Sequence, residues 1–175
     1  MAGSPSSPAV PDLAAANSSA GTRFATDIIL DERLCLALYT ASRAMTARYR
    51  VSLRDLNLTY PQYLVLVLLW EEGTASVRDI GLRLALDSST LSPLLKRLAA
   101  MGLVTRTRAT HDERLMMIGL TEQAIELQPA AAQVTLDVCE ATGMSAEERL
   151  SLVETLRTLT EQLEASAAEV VAEAG

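Results

Sequence analysis

Histidine occurs once and cysteine twice, aromatic side chains make up 3% of the chain, and its 175 residues contain no long uninterrupted apolar run. Each scarcity excludes a class of function. A membrane span needs about 18 or more consecutive apolar residues. The N-terminus also lacks a basic region followed by an apolar block, so neither a spanning helix nor a secretory leader is expected, and the protein reads as cytoplasmic with no membrane partner. Cys35 and Cys139 lie far apart and fit neither a zinc pattern nor a dense disulfide framework, so no metal and no cofactor are expected. In a reducing compartment such thiols are either buried filler or redox chemistry. His111, set among polar residues, is read as a loop residue without chemistry.

Apolar residues are abundant at 49%. Leu and Ala dominate among them, a mixture that favours helix over sheet. The length suits one domain with a real core. The net charge of −7 argues against nucleic acid only until it is resolved along the chain. Residues 78–120 carry a local charge of +3, residues 121–175 carry −9 and residues 1–77 carry −1. Phosphate binding is therefore expected in the central segment.

Residues 1–26 are rich in Ala, Ser, Gly and Pro and cannot offset their ordering entropy by burial, so they read as a disordered tail. From Asp31, a plausible N-cap, a first helix is expected to about Leu53, with Leu34, Leu38, Ala41, Met45 and Tyr49 at helical spacing. Tyr60 and Pro61 open a second helix, apolar on every side from Leu64 to Trp70 and therefore buried, which Gly73 ends. Tyr63 and Trp70 read as part of its buried face. A short helix over 76–84 places Val77, Ile80, Leu82 and Leu84 on its apolar side and Arg78 and Arg83 outside. A tight break at Leu86 and Asp87 leads to a further helix over 88–101 with a stripe of Leu91, Leu94, Leu95 and Leu98.

The two short helices read as a helix-turn-helix, because the second offers Ser88, Ser89, Thr90, Ser92, Pro93, Lys96 and Arg97 on its open side. Pro93 removes a backbone donor and is expected to bend or tighten the first turns. After Gly102, a C-cap, strands are expected at 103–107 and 115–120 around a polar loop, 109–114, which forms a wing. Thr121 caps a helix carrying Leu127, Val134, Leu136 and Cys139, with Pro129 expected to kink or interrupt it. Ser145 and Glu148 form a capping box for a last helix to about Glu173, along which Leu152, Leu156, Leu159 and Leu163 step by four and three. Such a seam needs a partner helix. The fold class is mostly α with a small β wing.

Hydroxyls and Lys96 on a helix can enter a major groove about 12 Å wide and reach base edges or phosphates. In the wing, Asp112 lies two residues from Arg114 and can brace its guanidinium for a minor groove. Taken singly, Lys96, Arg97, Arg106 and Arg108 read as solvated surface. Taken together, in winged-helix order on the positive segment of an acidic chain, they read as a DNA interface.

The strings LCLALYTASRAMTARY at 34–49, LTYPQYLVLVLLWE at 58–71, LDSSTLSPLLKRL at 86–98 and DERLMMIGLTEQ at 112–123 resemble the MarR family of bacterial repressors over about residues 30–165. Within that family they are most similar to the OhrR-type organic-hydroperoxide sensors. The resemblance implies a winged-helix domain over 27–175, with a DNA-binding core at about 60–120 and dimerisation helices at about 30–53 and 121–173. It also implies a homodimer on an inverted-repeat operator of double-stranded DNA, an organic hydroperoxide as effector, and no enzymatic activity. Family members are similar in using an Asp and Arg pair like Asp112 and Arg114 in the wing.

Cys35 falls near the start of the first helix, where unpaired N–H groups and the positive end of the dipole stabilise an anion, and only a thiolate attacks peroxides. Tyr49 follows Cys35 by fourteen residues and so lies about 21 Å along the same helix, out of reach within one chain. Two first helices crossing antiparallel in a dimer can bring Tyr49 and Tyr60 of one copy to Cys35 of the other. OhrR-type proteins are similar in pairing a reactive cysteine with two phenols at matching positions. The resemblance further implies that Cys139 of one chain pairs with oxidised Cys35 of the other; if Cys139 only packs, a low-molecular-weight thiol completes the reaction. Three alternatives stay open: a repressor relieved by a non-covalent phenolic ligand, a thiol peroxidase, and a helical protein-interaction module without DNA binding.

Overall fold

The computed structural model describes residues 30, 33–108 and 115–173. The expected tail, Asp31, and the wing-tip residues His111, Asp112 and Arg114 lie outside the described residues. The chain divides into two compact units, Met1–Arg43 and Ala44–Gly175, and helix α1 (Leu34–Ser52) runs across the division. The Arg33 carbonyl accepts from Leu36 N at 3.0 Å and Ala37 N at 3.1 Å, so the helix begins at Leu34. Cys35 is thus its second residue, not roughly its fourth as the Asp31 start would have it. No residue of α1 is buried.

The second unit is built around α2 (Tyr60–Glu72), whose Val65, Leu66 and Leu69 are wholly inaccessible. Gln62 Oε1 accepts from the Thr59 N–H at 2.8 Å and from the Thr59 hydroxyl at 3.0 Å, which occupies the free donor at the helix start. Gly73 ends the helix at φ 78°, a backbone conformation that costs glycine nothing. Against α2 pack α4 (Ser88–Ala100) and α5 (Glu122–Ala141), while α3 (Val77–Arg83) packs on α4 and the sheet, which has three strands among the described residues. These are β1 (Thr74–Ser76), β2 (Val104–Arg108) and β3 (Met116–Leu120), in the order β1-β3-β2, all antiparallel. The register sets Ala75 opposite Ile118 and Arg106 opposite Ile118 on the other side. At the crowded centre strand, a Cβ on Gly119 would meet Thr105 Oγ1 at 3.2 Å and Thr74 Cγ2 at 3.3 Å.

The leucine stripe of α4 behaves as its spacing requires: Leu91, Leu94, Leu95 and Leu98 are all buried. Each such side chain contributes on the order of 1.5–3 kcal/mol relative to exposure. Strand β1 and Leu82 depart from the sequence reading. β1 is an additional strand, too short to show alternation, and it exists because β3 offers it a hydrogen-bonding edge. Leu82 is 71% exposed beside Arg78 and Arg83, because a seven-residue helix anchored by Ile80 buries one narrow side. Helix α5 runs through Pro129 without interruption; the ring lies on the exposed side while Ala124, Ala131 and Val134 hold the flanking turns in the core. Helix α4 likewise runs through exposed Pro93.

The break between α3 and α4 falls at Leu84–Leu86. There the Leu86 N–H donates to Gly81 O at 2.9 Å and Ala85 takes φ 50°, a left-handed residue closing the helix end. A Cβ on Gly81 would stand 3.0 Å from the Leu86 carbonyl oxygen, so a side chain there would press on this turn. The last helix, α6 (Ala146–Glu173), starts at the expected capping box: Glu148 Oε2 accepts from Ser145 N at 2.7 Å, and Ser145 Oγ accepts from Glu148 N at 3.2 Å. None of its residues is buried.

Candidate DNA interface and sensor site

Helix α4 presents two chemically opposite faces. Its leucines enter the core, while Ser88, Ser89, Thr90, Ser92, Pro93, Lys96 and Arg97 are all exposed. This is the face the sequence assigned to DNA. Its first turn is organised by Asp87, which the sequence placed only at the break before the helix. That carboxylate accepts from Thr90 N at 2.7 Å, from Ser89 Oγ at 2.6 Å and from Thr90 Oγ1 at 3.3 Å. The Ser89 hydroxyl, followed by the Thr90 N–H, holds the Asp87 carboxyl below its ordinary range. With their protons committed to Asp87, both hydroxyls turn lone pairs outward and can accept from base amino groups. The signal for Asp87 was present as an Asp immediately before the leucine stripe, the pattern of an N-cap.

Arg106 and Arg108 sit on β2 at Ile118 and Met116 of β3, and both are exposed. They share one face of the strand with Val104, whose buried side chain anchors β2 in the core. The arginines therefore stand on a rigid ladder leading toward the wing tip. Among the described residues, then, a hydroxyl-rich helix start, Lys96 and Arg97 toward its end, and two arginines on β2 make up an exposed polar and basic set. Such a set can grip phosphates through its cations and read base edges through its hydroxyls.

Cys35, exposed on the second residue of α1, belongs to the first unit; Tyr49, Tyr60 and Cys139 belong to the second. Both thiols are free. The structure brings the two expected phenols together: the Tyr49 and Tyr60 rings stack with centroids 4.5 Å apart. Tyr63 joins them at 5.5 Å from Tyr49, and its hydroxyl is hydrogen-bonded to that of Thr135 on α5. Burial pushes the Tyr49 phenol up to about 12, with Tyr63, Tyr60 and Cys139 adding to the shift. Burial, then Tyr63, also raises Tyr60. Both phenols thus remain neutral at physiological pH and keep a hydroxyl proton to donate. Trp70, expected on the buried face of α2, is only half-buried, its indole N–H donating to Ala124 O at 3.0 Å. Tyr63 is buried as expected, but its tie to Thr135, 72 residues away, was not foreseeable from spacing.

Among the described residues no three His, Cys, Asp or Glu side chains gather as a metal site, and no helix is long and apolar enough to cross a membrane.

The sequence profile of the transcriptional regulators SarA/Rot matches residues 48–129. Over 134 residues the chain is 44% identical to the organic hydroperoxide resistance transcriptional regulator of Bacillus subtilis, covering 77% of this chain and 91% of that one. Among solved structures, AbfR of Staphylococcus epidermidis is similar. Its reduced, DNA-bound form matches with a TM-score of 0.65 at 34% identity, over 77% of this chain and 94% of that one. Its disulfide form matches with a TM-score of 0.56 at 35% identity, over 75% and 92%. A buried leucine stripe behind a hydroxyl-rich helix, a basic ladder beside it, and these likenesses lead to one conclusion: the chain belongs to the MarR family of winged-helix transcriptional regulators, in its OhrR-type branch.

Proposed function

We propose that the chain is a cytoplasmic homodimeric repressor that leaves an inverted-repeat operator when an organic hydroperoxide oxidises Cys35. In the reduced dimer, two α4 helices sit about 34 Å apart in successive major grooves, with Asp112 and Arg114 of each wing at the adjacent minor groove. The dimer is supported by the exposed apolar side chains of α1 and α6, neither of which buries a residue within one chain. Leu34, Val51, Leu152, Leu156 and Leu163 all face outward, and two such helices from each copy would cover one another.

The observation that carries the sensor reading is the stacked pair of neutral phenols, Tyr49 and Tyr60. Two stacked phenols that keep their protons can hydrogen-bond a cysteine sulfur of a second copy and orient the hydroperoxide. The Cys35 sulfur attacks the peroxide: an S–O bond forms, the O–O bond breaks, an alcohol leaves, and the sulfur is oxidised to sulfenate. Cys139 of the other copy then attacks that sulfur, forming the S–S bond and releasing water. The new covalent tie shifts the first helices and alters the spacing of the two α4 helices. A coupling of about 3 kcal/mol would weaken operator binding roughly a hundredfold.

Titration of operator binding with cumene hydroperoxide, for the wild type and Cys35→Ser, tests this reading. Release of the wild type with retention of the variant is expected. Equal release of both would eliminate the redox mechanism in favour of non-covalent relief, and multiple turnovers of peroxide with a reductant would favour a peroxidase.

A further inference from the structure

The geometry points to Tyr63 as a positioning residue that ties the sensor phenols to the helix of Cys139 and thereby sets the rate at which oxidised Cys35 is resolved. This inference rests on the thiol chemistry proposed above and extends it to a third tyrosine outside the proposed phenol pair.

Tyr63 is 4% exposed on α2, with its ring against Tyr49 and its hydroxyl against Thr135. The Thr135 hydroxyl can donate to Ala131 O at 3.4 Å, which leaves it able to accept from the Tyr63 phenol. Thr135 precedes Cys139 by four residues on α5, one helical turn. Cys139 in turn lies near enough to Tyr49 to oppose the ionisation of its phenol. The contacts therefore link Tyr49 through Tyr63 and Thr135 to the helical turn that leads to Cys139. A ring needed only to fill the core would require no hydroxyl at this position. The hydroxyl is spent on a bond between α2 and α5, the helix that must present the resolving sulfur.

Two chemical steps separate the possible effects. In the first, the Cys35 sulfur gives an electron pair to the hydroperoxide, S–O forms, O–O breaks and the alcohol leaves. In the second, the Cys139 sulfur attacks the sulfenic sulfur, S–S forms, S–O breaks, and hydroxide leaves with the thiol proton as water. Tyr63 holds the turn of Cys139 and so acts on the second step. Freeing that turn spreads the attacking sulfur over more positions and lowers its effective concentration.

The test uses the full-length protein with cumene hydroperoxide under single-turnover conditions. Sulfenate formation is followed by dimedone labelling and mass spectrometry, and the intersubunit Cys35–Cys139 disulfide by non-reducing gels. For Tyr63→Phe, which keeps the ring, and Thr135→Val, which keeps the shape, sulfenate should form within about twofold of the wild-type rate. The disulfide should form about fivefold to tenfold more slowly, as loss of one hydrogen bond permits. Thr135→Ser should restore the wild-type rate, and the double variant should be no slower than either single one. Wild-type disulfide rates in both variants, or equal slowing of the two steps, would overturn the role of Tyr63. Wild-type sulfenate that never yields a Cys139 disulfide would overturn it as well, while leaving peroxide sensing intact. Absence of sulfenate in the wild type would instead sink the sensor reading itself.

Discussion

Tyr49, near the end of α1, and Tyr60, the first residue of α2, stack face to face with 4.5 Å between ring centroids. A compact turn makes this possible. The Leu58 N–H donates to Leu53 O at 3.3 Å, both leucines are buried, and Asn57 takes φ 54°, so the chain doubles back within seven residues. The stack also removes both phenols from full solvation, with consequences for pH.

The Tyr49 phenol is raised from 10.0 to about 12, chiefly by burial, and Tyr60 is raised for the same reason. A group whose folded-state value exceeds its unfolded value contributes stability that is complete below the unfolded value. Stability should therefore be insensitive to these phenols up to about pH 10 and fall as pH climbs toward about 12. Denaturant midpoints across this alkaline range should show the decline, and Tyr49→Phe should reduce its steepness. An unchanged profile in that variant would mean the phenol is not shielded.

Lys96 and Arg97 are exposed on the DNA face. Lys96→Ala and Arg97→Ala should each weaken binding on operator and random duplex alike, and each should lower the slope of log affinity against log salt by about one. Fluorescence anisotropy at several salt concentrations measures both quantities. Wild-type slopes in the two variants would remove this helix face from the interface.

Asp87 organises the first turn of α4 through three hydrogen bonds. Asp87→Ala should fray that turn and free the Ser89 and Thr90 hydroxyls to rotate, so operator affinity should fall more than affinity for random duplex. Because the carboxyl is held below its usual 3.8 by Ser89 and Thr90, its stabilising effect should be present above that pH and vanish as pH falls below it. Competition binding on the two duplexes distinguishes loss of reading from loss of grip, and an equal drop on both would count against this assignment.

Leu156 and Leu163 lie on the seam of α6, which buries no residue within one chain. Leu156→Asp and Leu163→Asp should each shift the sedimentation profile from dimer toward monomer, with operator affinity lost in parallel because half-sites are then bound singly. A dimer of undiminished stability in both variants would place the interface elsewhere.

Which residues were legible follows from the range of the interactions that place them. The capping box at Ser145 and Glu148, the stop at Gly73 and the leucine stripe of α4 are local patterns, each set within one or two turns, and all three appear as read. Strand β1 was not legible because three residues carry no period; pairing with β3, more than forty residues away, creates it. Pro129 does not interrupt α5 for a related reason: local chemistry counts the lost donor, whereas Ala124, Ala131 and Val134 are held in the core on either side of it. Leu82 was assigned inside by hydropathy alone, and the width of the buried face decided otherwise.

The amino-acid order alone determined the helical class, the winged-helix arrangement, the basic central segment and the identities of the thiols and phenols, because periodicity, capping and charge act between near neighbours. Only the tertiary structure decided that Asp87 holds the hydroxyls of Ser89 and Thr90, that Tyr49 and Tyr60 meet as neutral phenols, and that Tyr63 reaches Thr135. Hydrogen-bond geometry and desolvation depend on which side chains share a small volume. Sharing that volume is a property of the packed chain, set when Tyr49 packs against the core that α2 and α5 build.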